Sequence, residues 1–139
     1  MGVLSDIYIS RDNDEAVEYD AAPNKFSERA QFTGLLPPEL STLWAIVRGI
    51  DYDFKMFCDF PCLLEKDGGE RLIHSFPAAM VTALGQLTPD QIQAATVKWA
   101  ATEELSCSPA DIQPVVEAMV RLARLATTSG RNLYLWNCV

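Results

Sequence analysis

Two hydrophobic periods alternate along this chain, one of two residues and one of between three and four. Val3 to Ser10 alternates around Ile7 and Ile9, which predicts a first strand. Arg11 to Lys25 is polar and acidic, with a turn at Pro23-Asn24 and a short helical or extended piece around Ala16-Val17. Residues 24–34 have no clear period, and Phe26, Ala30 and Phe32 are their anchors to a core. Pro37-Pro38-Glu39 predicts a helix start, because a proline in the first turn gives up an N–H that has no partner there anyway. Leu40, Leu43, Trp44 and Val47 fall on one stripe of that helix, and Gly49 stops it. Asp51 to Pro61 is aromatic and acidic and predicts a loop packed down by Phe54, Phe57 and Phe60.

The second half is more regular. Cys62 to Lys66 and Arg71 to Phe76 flank Asp67-Gly68-Gly69-Glu70, whose glycines supply the positive φ of a tight hairpin. Pro77 opens a short helix with Met80, Val81 and Leu84 inside. Thr88-Pro89-Asp90-Gln91 predicts a capping box, and Ile92, Ala95 and Trp99 mark the buried stripe that follows. Ser108-Pro109-Ala110-Asp111 repeats the device. Its helix buries Ile112, Val115, Val116, Met119, Leu122, Ala123 and Ala126, with Glu117 and Arg121 four apart on the wet side. Ser129-Gly130 ends it, and Asn132 to Val139 reads as a final strand. Leu133-Tyr134-Leu135-Trp136 is apolar on both faces, so this strand is expected inside a sheet. The pattern predicts one α+β domain over residues 1–139. A small, mainly antiparallel sheet takes the N-terminal strand, the central hairpin and the C-terminal strand. Three or four helices pack on it, the last two as an antiparallel pair.

Composition narrows the class. The chain has 139 residues, 49% hydrophobic and 22% charged, which suits one globular core. No apolar run approaches the ~18 residues of a membrane span. Met1 to Asp6 lacks the basic and apolar regions of an export signal. The expected compartment is therefore a bacterial-type reducing cytoplasm. The net charge of −8 lies wholly in residues 1–70, which hold fourteen acidic and six basic residues; residues 71–139 hold five of each. Such a field repels nucleic acid and anionic membrane and attracts a basic protein.

Cys58, Cys62, Cys107 and Cys138 are expected to be free thiols with a packing role. The alternative is a structural zinc site, since Cys58 and Cys62 have the spacing of a half-site that Cys107 and Cys138 would complete. His74, the single histidine, is the base in an alternative enzyme reading, with one of the cysteines or the acidic segment beside it. Glu103-Glu104 projects about 100° apart on a helix end and does not converge on one substrate. Asp51, Asp53 and Asp59 do not fit a calcium loop, because Met56 and Cys62 stand where Gly and Glu are required. No phosphate loop, nucleophile elbow or metalloprotease motif is present, so no cofactor, metal or catalytic residue is expected. Asp12, Asp14, Glu15, Glu18 and Asp20 form the expected binding face for a basic protein.

The order of the second half resembles the YfbM-like family of bacterial proteins. The similarity rests on Pro77 to Val139, with its Leu87-Thr88 break, its Ser108-Pro109 helix start and its Gly130-to-strand ending, and on a Trp-bearing helix near residue 44. The first half departs from the family, which has a Lys before that Trp and a Thr-Gly at the helix end; here Leu43-Trp44 and Arg48-Gly49 stand there. The resemblance implies a layout and no activity. The function expected is a non-catalytic protein-binding domain with an acidic face. Its sharpest form is an immunity-type inhibitor of a basic toxin. A third reading is a homo-oligomeric structural domain paired through its apolar tail.

Overall fold

Residues 2–139 are described by a computed structural model. Alternating side chains commit the chain to five strands: β1 (Leu4–Ser10), β2 (Arg29–Thr33), β3 (Cys62–Lys66), β4 (Arg71–Ser75) and β5 (Asn132–Cys138). All neighbours are antiparallel, in the order β2-β1-β5-β4-β3. The final strand is therefore the central one. Its two-sided apolar sequence follows from that place, since Leu133, Tyr134 and Leu135 are all buried.

Helices α2 (Pro37–Arg48), α3 (Ala78–Gly85), α4 (Pro89–Ala100) and α5 (Pro109–Thr128) cover one face. The register pairs Ile7 with Leu135 and Ile9 with Leu133, and these four side chains meet Leu43, Leu84, Met119, Leu122 and Trp99 in the main core. The Thr88 capping box forms as its sequence predicts, with Gln91 N–H donating to Thr88 Oγ1 and Thr88 N–H donating to Gln91 Oε1. Ser108 makes no such side-chain bond. Glu117 accepts from Gln113 Nε2 at 2.8 Å. Arg124 of α5 donates to the carbonyls of Gly85 and Leu87, satisfying the end of α3 where the two helices pass closest.

The opposite face carries a second layer that the helical pattern does not reveal. A one-turn helix α1 (Asn13–Ala16) and 3-10 turns at Val17–Asp20 and Pro23–Lys25 lie over it. Ala16, Tyr19 and Phe26 pack there on Tyr8, Ile73 and Tyr134. The Tyr8 and Tyr19 rings stack with centroids 4.0 Å apart.

Three expectations are corrected. Residues 29–33, where no period predicts an element, form an edge strand beside β1 that the expected sheet did not include. In the 51–61 region a 3-10 turn spans Phe54–Asp59, and its tight period turns Met56 and Phe60 inward while Phe54 is 66% and Phe57 43% exposed. Cys58 and Cys62 are exposed, not packing residues. Among the described residues no helix is long and apolar enough to cross a membrane.

Asn137 joins the sheet centre to the β2–α2 connection. Its amide is fully buried and donates to Leu4 O, Ser5 Oγ and Leu35 O at 2.8–3.2 Å. Removing it strands buried acceptors, each at a cost of about 1–3 kcal/mol. Asn137→Ala is expected to lower the unfolding free energy by roughly 2–3 kcal/mol in urea titrations. A loss within measurement error would show that the amide clamps nothing.

Candidate functional site

Five acidic residues between positions 12 and 20 were expected to present a binding face, and the structure gives four of them internal partners. Asp12 caps α1, accepting from Glu15 N–H at 2.8 Å. Glu15 accepts from Arg11 N–H and from Ser10 Oγ, and these bonds hold its carboxyl below the usual carboxylate range. Glu18 pairs with Lys25 at 2.8 Å. Asp20 is the most committed, with a side chain only 3% exposed. It accepts from Trp136 Nε1–H at 3.0 Å and faces Lys66 and Arg71 at 3.4 and 3.6 Å. Asp14 alone makes no side-chain bond or ion pair among the described residues.

These carboxylates hold a cover onto the sheet. The sheet reciprocates with polar tips: Tyr8 Oη–H donates to Ala16 O at 2.7 Å, and Tyr134 Oη–H to Asn13 Oδ1 at 3.0 Å. Burial, and the neighbouring tyrosines, push the Tyr8 hydroxyl far above its usual range. Sequence reading missed this cover. Its one local signal was a row of Tyr and Trp at alternate strand positions, Tyr134 and Trp136, on the face opposite the main core.

Beside the cover, an open cleft of about 810 Å³ runs along β2. Asp6, Arg29, Gln31, Tyr19 and Trp136 line it on the cover face of the sheet, and Phe32, Ile112 and Val115 line it round the β2 edge on the helix face. Asp6 Oδ2 accepts from Tyr19 Oη–H at 2.6 Å. Burial and the Asp6 carboxylate together drive the Tyr19 hydroxyl well above its usual range.

The alternative thiol site is only half assembled. The β3–β4 register sets Cys62 opposite His74. Yet the Cys62 thiol donates to Leu64 O at 3.4 Å, and His74 Nδ1 is buried with no hydrogen-bond partner. A nucleophile–base pair needs a third group to orient the base, and none stands there. Cys107 and Cys138 do not join Cys58 and Cys62, and among the described residues no three His, Cys, Asp or Glu side chains converge to hold a metal.

A different acidic surface emerges around residues 50–59. Ile50, Tyr52, Phe54 and Phe57 are exposed, interleaved with exposed Asp51, Asp53 and Asp59. A groove of about 440 Å³ runs from Ile50, Asp51 and Tyr52 to Thr102, Glu103 and Glu104. Burial, reinforced by Glu104, raises the nearby Glu39 carboxyl above its usual range. No ion pair engages Asp51, Asp53, Asp59, Glu103 or Glu104 among the described residues. The chain matches no family model, no curated protein and no solved structure.

Two outcomes test this geometry. Asp20→Ala removes a charged acceptor from Trp136 and is expected to cost about 2 kcal/mol in urea titrations. Asp20→Asn keeps an acceptor and is expected to cost less. Burial lowers the proton affinity of His74 below its ordinary 6.5, so below that pH the unfolded chain takes up the proton first. The resulting stability is present above pH 6.5 and is lost as pH falls through the folded value. Thermal melts should show wild type losing stability between pH 7 and pH 5 more steeply than His74→Gln. Parallel curves would place His74 in water.

Proposed function

We propose that this chain is a non-catalytic binding domain for a basic protein, engaged through residues 50–59 and the neighbouring Glu103-Glu104. The supporting observation is the alternation of exposed apolar and unpaired acidic side chains between Ile50 and Asp59. Aromatic residues at the centre of an interface supply most of its binding energy. Carboxylates around them speed encounter with a cation-rich partner and exclude acidic ones. Phe54, with two-thirds of its surface in water, is the natural anchor.

The 12–20 run is a weaker candidate, since Arg11, Lys25, Lys66 and Arg71 neutralise most of it locally. By contrast, Lys55 is the only cation between Ile50 and Asp59. The sharpest form of the reading is an immunity-type inhibitor in a bacterial cytoplasm, which meets a basic toxin by fast electrostatic association. The reading takes no activity from the YfbM-like resemblance, which implies a layout only.

Affinity capture on the full chain tests this. The expected result is an identified basic protein whose association weakens with salt, fails with Asp51→Lys/Asp53→Lys, and falls about tenfold or more with Phe54→Ala. Asp12→Lys/Asp14→Lys should leave capture unchanged. Retention of the partner by the Asp51/Asp53 reversal, or its loss with the Asp12/Asp14 reversal alone, would refute the assignment.

A further inference from the structure

The cleft along β2 holds two opposite charges, Asp6 and Arg29, that make no direct ion pair with each other among the described residues. Asp6 is only 6% exposed, yet just one of its oxygens is occupied: Oδ2 accepts from Tyr19 Oη–H at 2.6 Å and from Gln31 Nε2 at 3.4 Å. Oδ1 makes no hydrogen bond among the described residues and is not sealed from solvent. That oxygen is therefore open to a donor entering from the cleft.

Arg29 stands on the same face. The register pairs Gln31 with Asp6 and Arg29 with Tyr8, so Arg29 is the diagonal neighbour of Asp6, within about 8 Å. Its guanidinium is held by Pro23 O at 2.9 Å and Asn24 Oδ1 at 3.3 Å and also stands beside the Tyr19 hydroxyl that donates to Asp6. No carboxylate lies in ion-pair contact with it among the described residues. Guanidinium groups carry five donors in a fixed fork, and these two bonds leave donors over for a planar anion.

Trp136 forms the adjoining wall and is fixed at its N–H edge by Asp20. On the cover face the cleft combines an apolar wall with a few converging polar groups, as small-molecule sites do.

We propose that this cleft binds a small zwitterion of the α-amino acid type. Its ammonium group donates to Asp6 Oδ1, its carboxylate accepts from Arg29, and its side chain lies against Trp136. A ligand with one charge leaves the other protein group unanswered, so both charges are required. The proposal does not depend on the protein-binding surface at residues 50–59.

The three tryptophans give three indole N–H signals in a proton–nitrogen NMR spectrum of the full chain, and Trp136→Phe identifies the one in the cleft. Titration with each of the standard free L-amino acids is expected to move the Trp136 signal saturably for at least one, while the Trp44 and Trp99 signals stay in place. The decarboxylated amine and the deaminated acid of the best binder should each bind at least about tenfold more weakly. Asp6→Asn, which keeps an acceptor for Tyr19, and Arg29→Gln should weaken binding similarly. If either variant fails to fold, the ligand series on wild type decides alone. No saturable shift below about 10 mM, or an amine or acid that binds as tightly as its parent, would overturn the proposal.

Discussion

β5 must be apolar on both faces and hydrogen-bonded along both edges, and every other part of the structure is placed by that requirement. On one face Leu133 and Leu135 meet the helices; on the other Tyr134 and Trp136 meet the acidic cover. Its edges pair with β1 and β4. Asn137 then ties the same strand to the turn after β2. One seven-residue segment therefore sets the position of both layers and of the connection between them.

The acidic first half divides into two kinds of carboxylate. Asp12, Glu15, Glu18 and Asp20 are consumed by capping, by ion pairs and by the Trp136 indole. Asp51, Asp53 and Asp59 make no ion pair among the described residues and stand beside exposed aromatic rings, although Asp53 caps the 3-10 turn through Lys55 N–H. Net charge alone does not separate the groups, because each carboxylate counts the same wherever it stands. The separation comes from which segment has cations and donors folded against it.

Local chemistry was legible where one segment carried the whole signal. The Thr88 box and the Asp67-Gly68-Gly69 hairpin needed no distant partner. The tail was legible because four large apolar side chains in a row have few exposed solutions. β2 was not, since Arg29 to Thr33 is a half-buried edge whose strand character comes from pairing with β1. Phe54 and Phe57 misled because aromatic content does not report direction; the 3-10 turn points Met56 inward instead. The Asp6–Arg29 juxtaposition was hidden because the two residues lie far apart in the chain and only the register makes them neighbours.

The central place of β5 also shapes how the molecule reaches its native state. β3 and β4 meet across a short turn, but β5 joins β1 through contacts more than 120 residues apart in sequence. Such non-local pairing is slow, because loop-closure entropy must be met before the contacts form. Until β5 docks, β1 and β4 each present an open edge, that of β1 carrying Ile7, Tyr8 and Ile9. The transient half-sheets are the species most prone to self-association, so refolding yield should be governed by protein concentration in the interval before the middle strand arrives.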